Sequence, residues 1–229
     1  MLIKSYLQKK FTKVYNKNLF HGESSLSGQG SDLKQTETLR KNLKILLGKV
    51  GAKSFLDVPC GDFYWMSQVD LNEISYTGSD IVEDMVTKLS LEYQNASRKF
   101  KVINLVSEVP PINDVIFCRD LFVHLSNKNI KKSLNNIVLS DSKYLFTTTF
   151  TRVERNKDLP IFSRGVKWRT LNLELPPWNF PKPIYLVNEN CTEGNGAYAD
   201  KSIAVWEIKN IPLNSINKRI DKLINFSKR

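Results

Sequence analysis

An α/β fold with a doubly wound, mostly parallel sheet is predicted by three features of this 229-residue chain. Short apolar runs suited to buried strands recur at residues 54–58, 74–80, 100–104, 114–118 and 144–150. Segments with apolar residues at helical spacing lie between several of them. The first run breaks on Pro59 and Gly61, and in open α/β sheets ligands bind where such turns leave the carboxyl ends of strands.

Size and composition fit that class. The length suits one α/β domain with a small elaboration, and 41% hydrophobic residues suffice for a full core. No apolar run approaches the ~18 residues of a membrane span. Lysines at 4, 9, 10 and 13 interrupt the start, unlike a secretory signal. Cys60, Cys118 and Cys191 are odd in number and widely spaced, which gives neither a zinc pattern nor a disulfide framework and fits a reducing cytoplasm. The net charge of +11 is concentrated at the ends: residues 1–20 carry +5 and residues 209–229 carry +5, leaving +1 between. Nucleic-acid enzymes usually spread basic surface around the active face, so nucleic acid is disfavoured as a partner. The basic ends read either as solvated helix faces or as a weak attraction to anionic membrane or glycan.

The elements follow in order. Ile3, Tyr6, Leu7, Phe11 and Val14 share one helical face with lysines opposite. Such a helix can lie on a membrane, pair with a partner or pack on the domain, and packing is favoured. Residues 21–32 form a Gly/Ser-rich loop, either a lid or a linker. Leu39, Leu43, Leu46, Leu47 and Val50 predict a helix over 33–48. Residues 63–69 are expected to form another, its N-terminal N–H groups aimed at the Gly61 turn. The strand over 74–80 ends on Asp80, about twenty residues beyond the first turn, where nucleotide-type folds place the carboxylate that holds a ribose diol. Val82, Met85, Val86 and Leu89 make the next helical face. Ser126 is an N-cap for a helix bearing Ile130, Leu134, Ile137 and Val138. Asp120 and His124 thus fall on the loop above the sheet, on the ligand side. The repeating strand–helix pattern implies helices on both faces of a parallel sheet.

Residues 151–182 break the rhythm with Arg152, Arg155, Arg164, Trp168, Arg169 and several prolines. A long irregular insertion is usually functional or disordered, and the tryptophans argue against disorder. Arginines and aromatic faces suit a sugar- or phosphate-bearing substrate; an aromatic cap over the core is the alternative. Strands over 183–189 and 201–208 follow, and Ile216, Ile220, Leu223 and Ile224 share a last helical face. Three segments result: a basic helix and loop over 1–32, a main domain over 33–208 containing the 151–182 insertion, and a basic helix over 209–229.

Five motifs appear in order: Ser27-Gly28-x-Gly30-Ser31; Leu56-Asp57-Val58-Pro59-Cys60-Gly61-Asp62-Phe63-x-Trp65-Met66; Cys118-Arg119-Asp120-x-x-Val123-His124-Leu125-Ser126; Thr147-Thr148-Thr149-Phe150; and Trp168-Arg169-x-Leu171-Asn172-Leu173. Together they resemble a branch of the class I S-adenosylmethionine-dependent methyltransferases associated with bacterial surface-glycan (capsule) and related pathways. The resemblance covers residues 25–208. The wider class carries three alternating glycines in the turn; here Pro59 and Phe63 hold the first and third places and only Gly61 remains.

The resemblance implies a Rossmann-like, mostly parallel seven-stranded sheet, closed by a C-terminal antiparallel hairpin and bearing an insertion after strand 5. It implies S-adenosylmethionine as cofactor, held by Arg40, Asp57, Cys60, Gly61, Asp62, Asp80, Ile81, Asn104, Leu105 and Arg119. Asn104 stands where the class often has an acid for the adenine amine, and an amide oxygen accepts the same bond. Trp65, Trp168 and Arg169 are the expected substrate contacts.

Methyl transfer to a hydroxyl needs alignment and a base. His124 is the candidate, because a helix start disfavours imidazolium. Asp120 would orient it, act as base itself or contact the donor. No metal pattern is apparent. The expected acceptor is a small polar metabolite or a sugar, possibly nucleotide-linked, O-methylated in the cytoplasm. The alternatives are RNA or protein methylation, or a cofactor-binding module without catalysis held to a membrane or complex. A nicotinamide oxidoreductase lacks its Gly-x-Gly-x-x-Gly fingerprint here.

Overall fold

The computed structural model describes residues 5–159, 167–216 and 220. Arg164, Ile3, Lys4, Leu223 and Ile224 lie outside the described residues, as does most of the expected C-terminal helix. Seven strands form one sheet: β1 (Ser54–Asp57), β2 (Ser75–Asp80), β3 (Arg98–Val102), β4 (Val115–Cys118), β5 (Tyr144–Phe150), β6 (Tyr185–Asn188) and β7 (Lys201–Glu207). Their order is β3-β2-β1-β4-β5-β7-β6. β1 to β5 pair in parallel, and β7 runs antiparallel to both β5 and β6. The sheet is therefore the mostly parallel one expected, closed by the antiparallel hairpin.

Alternation along the central strands builds a core on each face. Phe55, Phe117, Phe146 and Val205 point into one core, with Leu39, Leu43 and Leu47 of helix α2 (Glu37–Lys49) and Met85, Val86 and Leu89 of α3 (Glu83–Tyr93). Leu56, Ile116, Leu145 and Trp206 point into the other, with Ile130, Leu134 and Ile137 of α4 (Asn127–Leu139). Leu171, Leu173 and Trp178 of the insertion and Ile216 and Ile220 near the C-terminus complete that second core. Ser126 caps α4 by accepting from the Asn129 N–H. Helix α1 (Tyr6–Asn16) packs Phe11 and Tyr15 on the first core and Leu7 on the second, which makes it part of the domain surface. Among the described residues no helix is long and apolar enough to cross a membrane.

Two expected helices are absent. Residues 63–69 form turns and a three-residue 3-10 segment, Met66–Gln68, instead of an α-helix. Gly61 and Phe63 take positive φ values of 55° and 61°, which no right-handed helix tolerates. The link from β3 to β4 is also non-helical; Pro110 and Pro111 lack the N–H groups a helix needs. α-Helices thus fill only two of the four crossovers between β1 and β5. The helix expected over 33–48 begins later, at Glu37.

Candidate active site

A cleft opens at the carboxyl ends of β1, β2 and β4, where the parallel strands all point their last residues. It encloses about 1080 Å³ with its open mouth counted in. Asp57, Cys60, Gly61, Asp80, Ile81, Asn104, Leu105 and Arg119 line it, together with Trp65, Asp120 and His124.

Asp57 and Asp80 end adjacent strands and are both buried. The Tyr76 hydroxyl donates to Asp57 Oδ2 at 2.8 Å. Burial, with the negative charge of Asp80 nearby, pushes the Asp57 carboxyl up to about 8 despite that bond. Asp80 accepts from the Gly61 N–H at 3.2 Å and the Val82 N–H at 3.0 Å. Burial raises its carboxyl to about 6, offset in part by those N–H groups. Burial and the same carboxylates push the Cys60 thiol well up, so it is an inert wall residue.

The Gly61 turn does not present free N–H groups. The Cys60 N–H bonds Ser79 O, that of Gly61 bonds Asp80, and that of Asp62 bonds Ser27 Oγ at 2.8 Å. The expectation of an open helix N-terminus here is corrected accordingly. Asp62 is not among the residues lining the cleft and instead fastens the Gly/Ser loop. Its carboxylate accepts from Ser25 Oγ, Ser27 Oγ and the Leu26 N–H, the last at 2.7 Å. Asp32 gathers the same loop through the N–H groups of Glu23, Ser24 and Ser25. Leu26, Ser27 and Ser31 then line the cleft. An added Cβ at Gly61 would come within 2.2 Å of Ser27 Oγ, so the close approach requires glycine.

Arg40 does not line the cleft. Its Nη2 donates to Leu33 O at 3.0 Å, bracing the approach to α2. The arginine that does reach the cleft is Arg119. It donates to Glu189 at 2.6 Å and to Gly30 O at 2.8 Å, and lies 5.5 Å from the Trp65 ring. Glu189 in turn sits 3.9 Å from Lys201 Nζ, and Lys201 pairs with Asp120 at 2.6 Å. Two cations and two anions thus balance in one network. Burial raises the Asp120 carboxyl, but Lys201 and Arg119 outweigh it and hold the group well below the usual range. Thr148 completes the grip, its Oγ1 donating to Asp120 at 3.1 Å and accepting the Asp120 N–H at 2.9 Å.

His124 is half-buried under Phe20, with ring centroids 4.9 Å apart, and Phe11, at 6.3 Å. Its Nδ1 lies 3.1 Å from Lys167 O. A carbonyl only accepts, so Nδ1 carries the proton and Nε2 is left as the acceptor. Burial lowers its pKa and keeps the ring neutral near physiological pH.

The expected acceptor wall of Trp168 and Arg169 is corrected. Neither lines the cleft. Trp168 packs edge-on against Tyr198 at 4.7 Å. Arg169 gives its donors to Lys157 O, Leu125 O and Asn127 Oδ1 at 2.7, 2.6 and 2.9 Å. Burial brings it down to about 10. It therefore fastens the His124 loop to the insertion. Sequence reasoning missed Tyr76, Glu189, Lys201, Phe11 and Phe20 as cleft-building residues. The local hint of the Glu189–Lys201 contact was a residue of opposite charge on each side of the β6–β7 connection.

No protein-family model matches the sequence, and neither does any curated protein. Solved structures match in fold. The N-methyltransferase NodS from Bradyrhizobium japonicum WM9, in complex with S-adenosyl-L-homocysteine, aligns with a TM-score of 0.61 at 11% identity, covering 89% of this chain and 99% of its own. Human N-acetylserotonin methyltransferase in complex with SAM gives 0.55 at 11% identity, over 87% of this chain and 59% of its own. The pyocyanin biosynthetic protein PhzM gives 0.53 at 13% identity, over 76% and 56%. The chain has the fold of class I S-adenosylmethionine-dependent methyltransferases.

Proposed function

We propose that this chain is an S-adenosylmethionine-dependent methyltransferase acting on a hydroxyl of a small molecule. The observation that carries the reading is the pair Asp57 and Asp80, buried carboxyl groups that end adjacent strands side by side on one wall of the cleft. Such a wall favours a cationic guest rich in hydroxyls. Asp80 keeps lone-pair capacity beyond its bonds to the backbone N–H groups of Gly61, Ile81 and Val82, which a ribose hydroxyl can use. Asn104 Oδ1, engaged by the Val106 N–H at 3.1 Å, keeps a second lone pair for an adenine amine, with Ile81 and Leu105 as apolar flanks. Asp57 takes the ammonium end.

S-adenosylmethionine, which Asp57, Asp80 and Asn104 would hold, would supply an electrophilic methyl group for the acceptor oxygen and leave as the neutral thioether. His124 Nε2 takes the hydroxyl proton. Asp120 is too weak a base for that role and steadies the imidazolium instead. The loop over residues 21–32, pinned to Asp62, excludes water from one side.

The sequence resemblance narrows the acceptor to a small polar metabolite or a capsule-type sugar. The polar wall expected for it, Trp168 and Arg169, stands outside the cleft, so the site itself supports the broader reading. Thermal denaturation with S-adenosylhomocysteine tests it. At a hundredfold excess over Kd the ligand adds about 2.7 kcal/mol, a rise of several degrees in Tm, whereas NAD, whose pyrophosphate finds no free N–H groups at the Gly61 turn, raises it less. A shift with NAD alone overturns it.

A further inference from the structure

We infer that the methyl acceptor is a flat, largely apolar molecule, aromatic in its reacting part, that presents one hydroxyl to His124. This rests on the methyltransferase reading and specifies the acceptor half of the same cleft.

The charged residues of the cleft, Asp57, Asp80, Arg119 and Asp120, all come from the ends of β1, β2 and β4. Around His124 the wall changes character. Leu7 and Phe11 of α1, Phe20 just beyond it, and Leu121 and Leu125 beside the histidine face the same space. The Phe20 and His124 rings lie 4.9 Å apart and tilted by 30°, an aromatic pair on the cleft wall of the kind that other rings pack against. A sugar needs several hydrogen-bonding partners around its hydroxyls, because burying them unpaired is costly. This part of the wall is mainly apolar, and His124 and the Tyr15 hydroxyl are the polar side chains that α1 and the His124 loop bring to it. Asp120, whose charge acts on His124, spends its carboxylate on Lys201 and Thr148. An apolar ring loses little on entering such a wall and gains burial of about 25 cal/mol per Å².

The wall is tied to the sequence N-terminal to the main fold. Lys9, Lys13 and Lys17 stay exposed while Leu7, Phe11, Val14 and Tyr15 turn inward, and Lys10 lies partly buried beside the Phe11 ring. α1 therefore acts as the specificity element, and the insertion over 151–182 supports the His124 loop from behind through Arg169.

The test is binding to the protein saturated with S-adenosylhomocysteine, using 2-naphthol as the flat hydroxylated probe and UDP-glucose as the polar one. Saturable 2-naphthol binding is expected, weakened at least tenfold by Phe20→Ser and less by Phe20→Leu, with S-adenosylhomocysteine affinity unchanged in both. UDP-glucose is expected not to compete. Binding of UDP-glucose without 2-naphthol, or equal 2-naphthol affinity in wild type and Phe20→Ser, overturns the inference. Loss of S-adenosylhomocysteine binding by the wild-type protein instead removes the methyltransferase reading on which it rests. A Phe20 variant that no longer binds S-adenosylhomocysteine is replaced by Phe11→Leu, for which the same two outcomes decide.

Discussion

Asp120 Oδ2 lies 2.6 Å from Lys201 Nζ, an ion pair made across 81 positions of sequence. Lys201 is 6% exposed and Asp120 28%. Removing one partner of a buried pair leaves an uncompensated charge, worth about 3–5 kcal/mol when burial is complete. The partial exposure of Asp120 places Lys201→Met near the lower end, about 3 kcal/mol. The double variant Lys201→Met/Asp120→Asn should lose less than the two single losses added. Urea denaturation of the four proteins measures this coupling.

Stability of the ligand-free protein should fall as pH rises from about 4 to 8. Asp57 titrates at about 8 in the fold against 3.8 as a free side chain, and Asp80 at about 6. The folded state therefore holds protons that the unfolded state has released, and their stabilising contribution is lost as pH climbs through the folded pKa values. Asp57→Asn keeps an acceptor for the Tyr76 hydroxyl and removes the charge. It should raise Tm at pH 8.5 and change it little at pH 4, as thermal denaturation across that range would show.

Gly61→Ala faces two penalties. The φ of 55° is left-handed, costing an alanine about 1–2 kcal/mol, and the new Cβ would meet Ser27 Oγ at 2.2 Å. Adding Ser27→Gly should relieve the clash and leave the backbone cost. The expected order of Tm is wild type, then the double variant, then Gly61→Ala. Equal Tm in the last two would mean that the loop yields freely.

His124 should titrate below the ordinary imidazole range, because its burial favours the neutral ring. Nitrogen NMR should show the proton on Nδ1, facing Lys167 O. With an accepted substrate, kcat should be flat above that pKa and fall below it, since the protonated ring cannot act as a base. His124→Gln should lower kcat by about 10²-fold or more, with S-adenosylhomocysteine affinity retained.

Where one strand or one turn decides a feature, the sequence was enough. Phe55, Leu56 and Asp57 read as a buried strand, and Asp80 read as a second acid near the first turn; both lie in the cleft. Asp120 and His124 were placed above the sheet by the Ser126 cap. The failures are tertiary. Phe63 has ordinary helix-compatible chemistry, and its φ of 61° follows from packing among Tyr76, Tyr93 and Phe100. Arg169 has the composition of a substrate clamp, yet carbonyls from the His124 loop claim it first. Phe11 and Phe20 sit more than 100 positions before His124, beyond the reach of any local pattern.

The most direct test of the cofactor site is calorimetric titration with S-adenosylhomocysteine of the wild-type protein and of Asp80→Ala, each first shown to be folded by its cooperative melting. Saturable one-to-one binding in the micromolar range by the wild type, lost or weakened at least tenfold in Asp80→Ala, is the predicted result. No heat of binding from folded wild-type protein, or equal affinity in the variant, would contradict the assignment of the cleft.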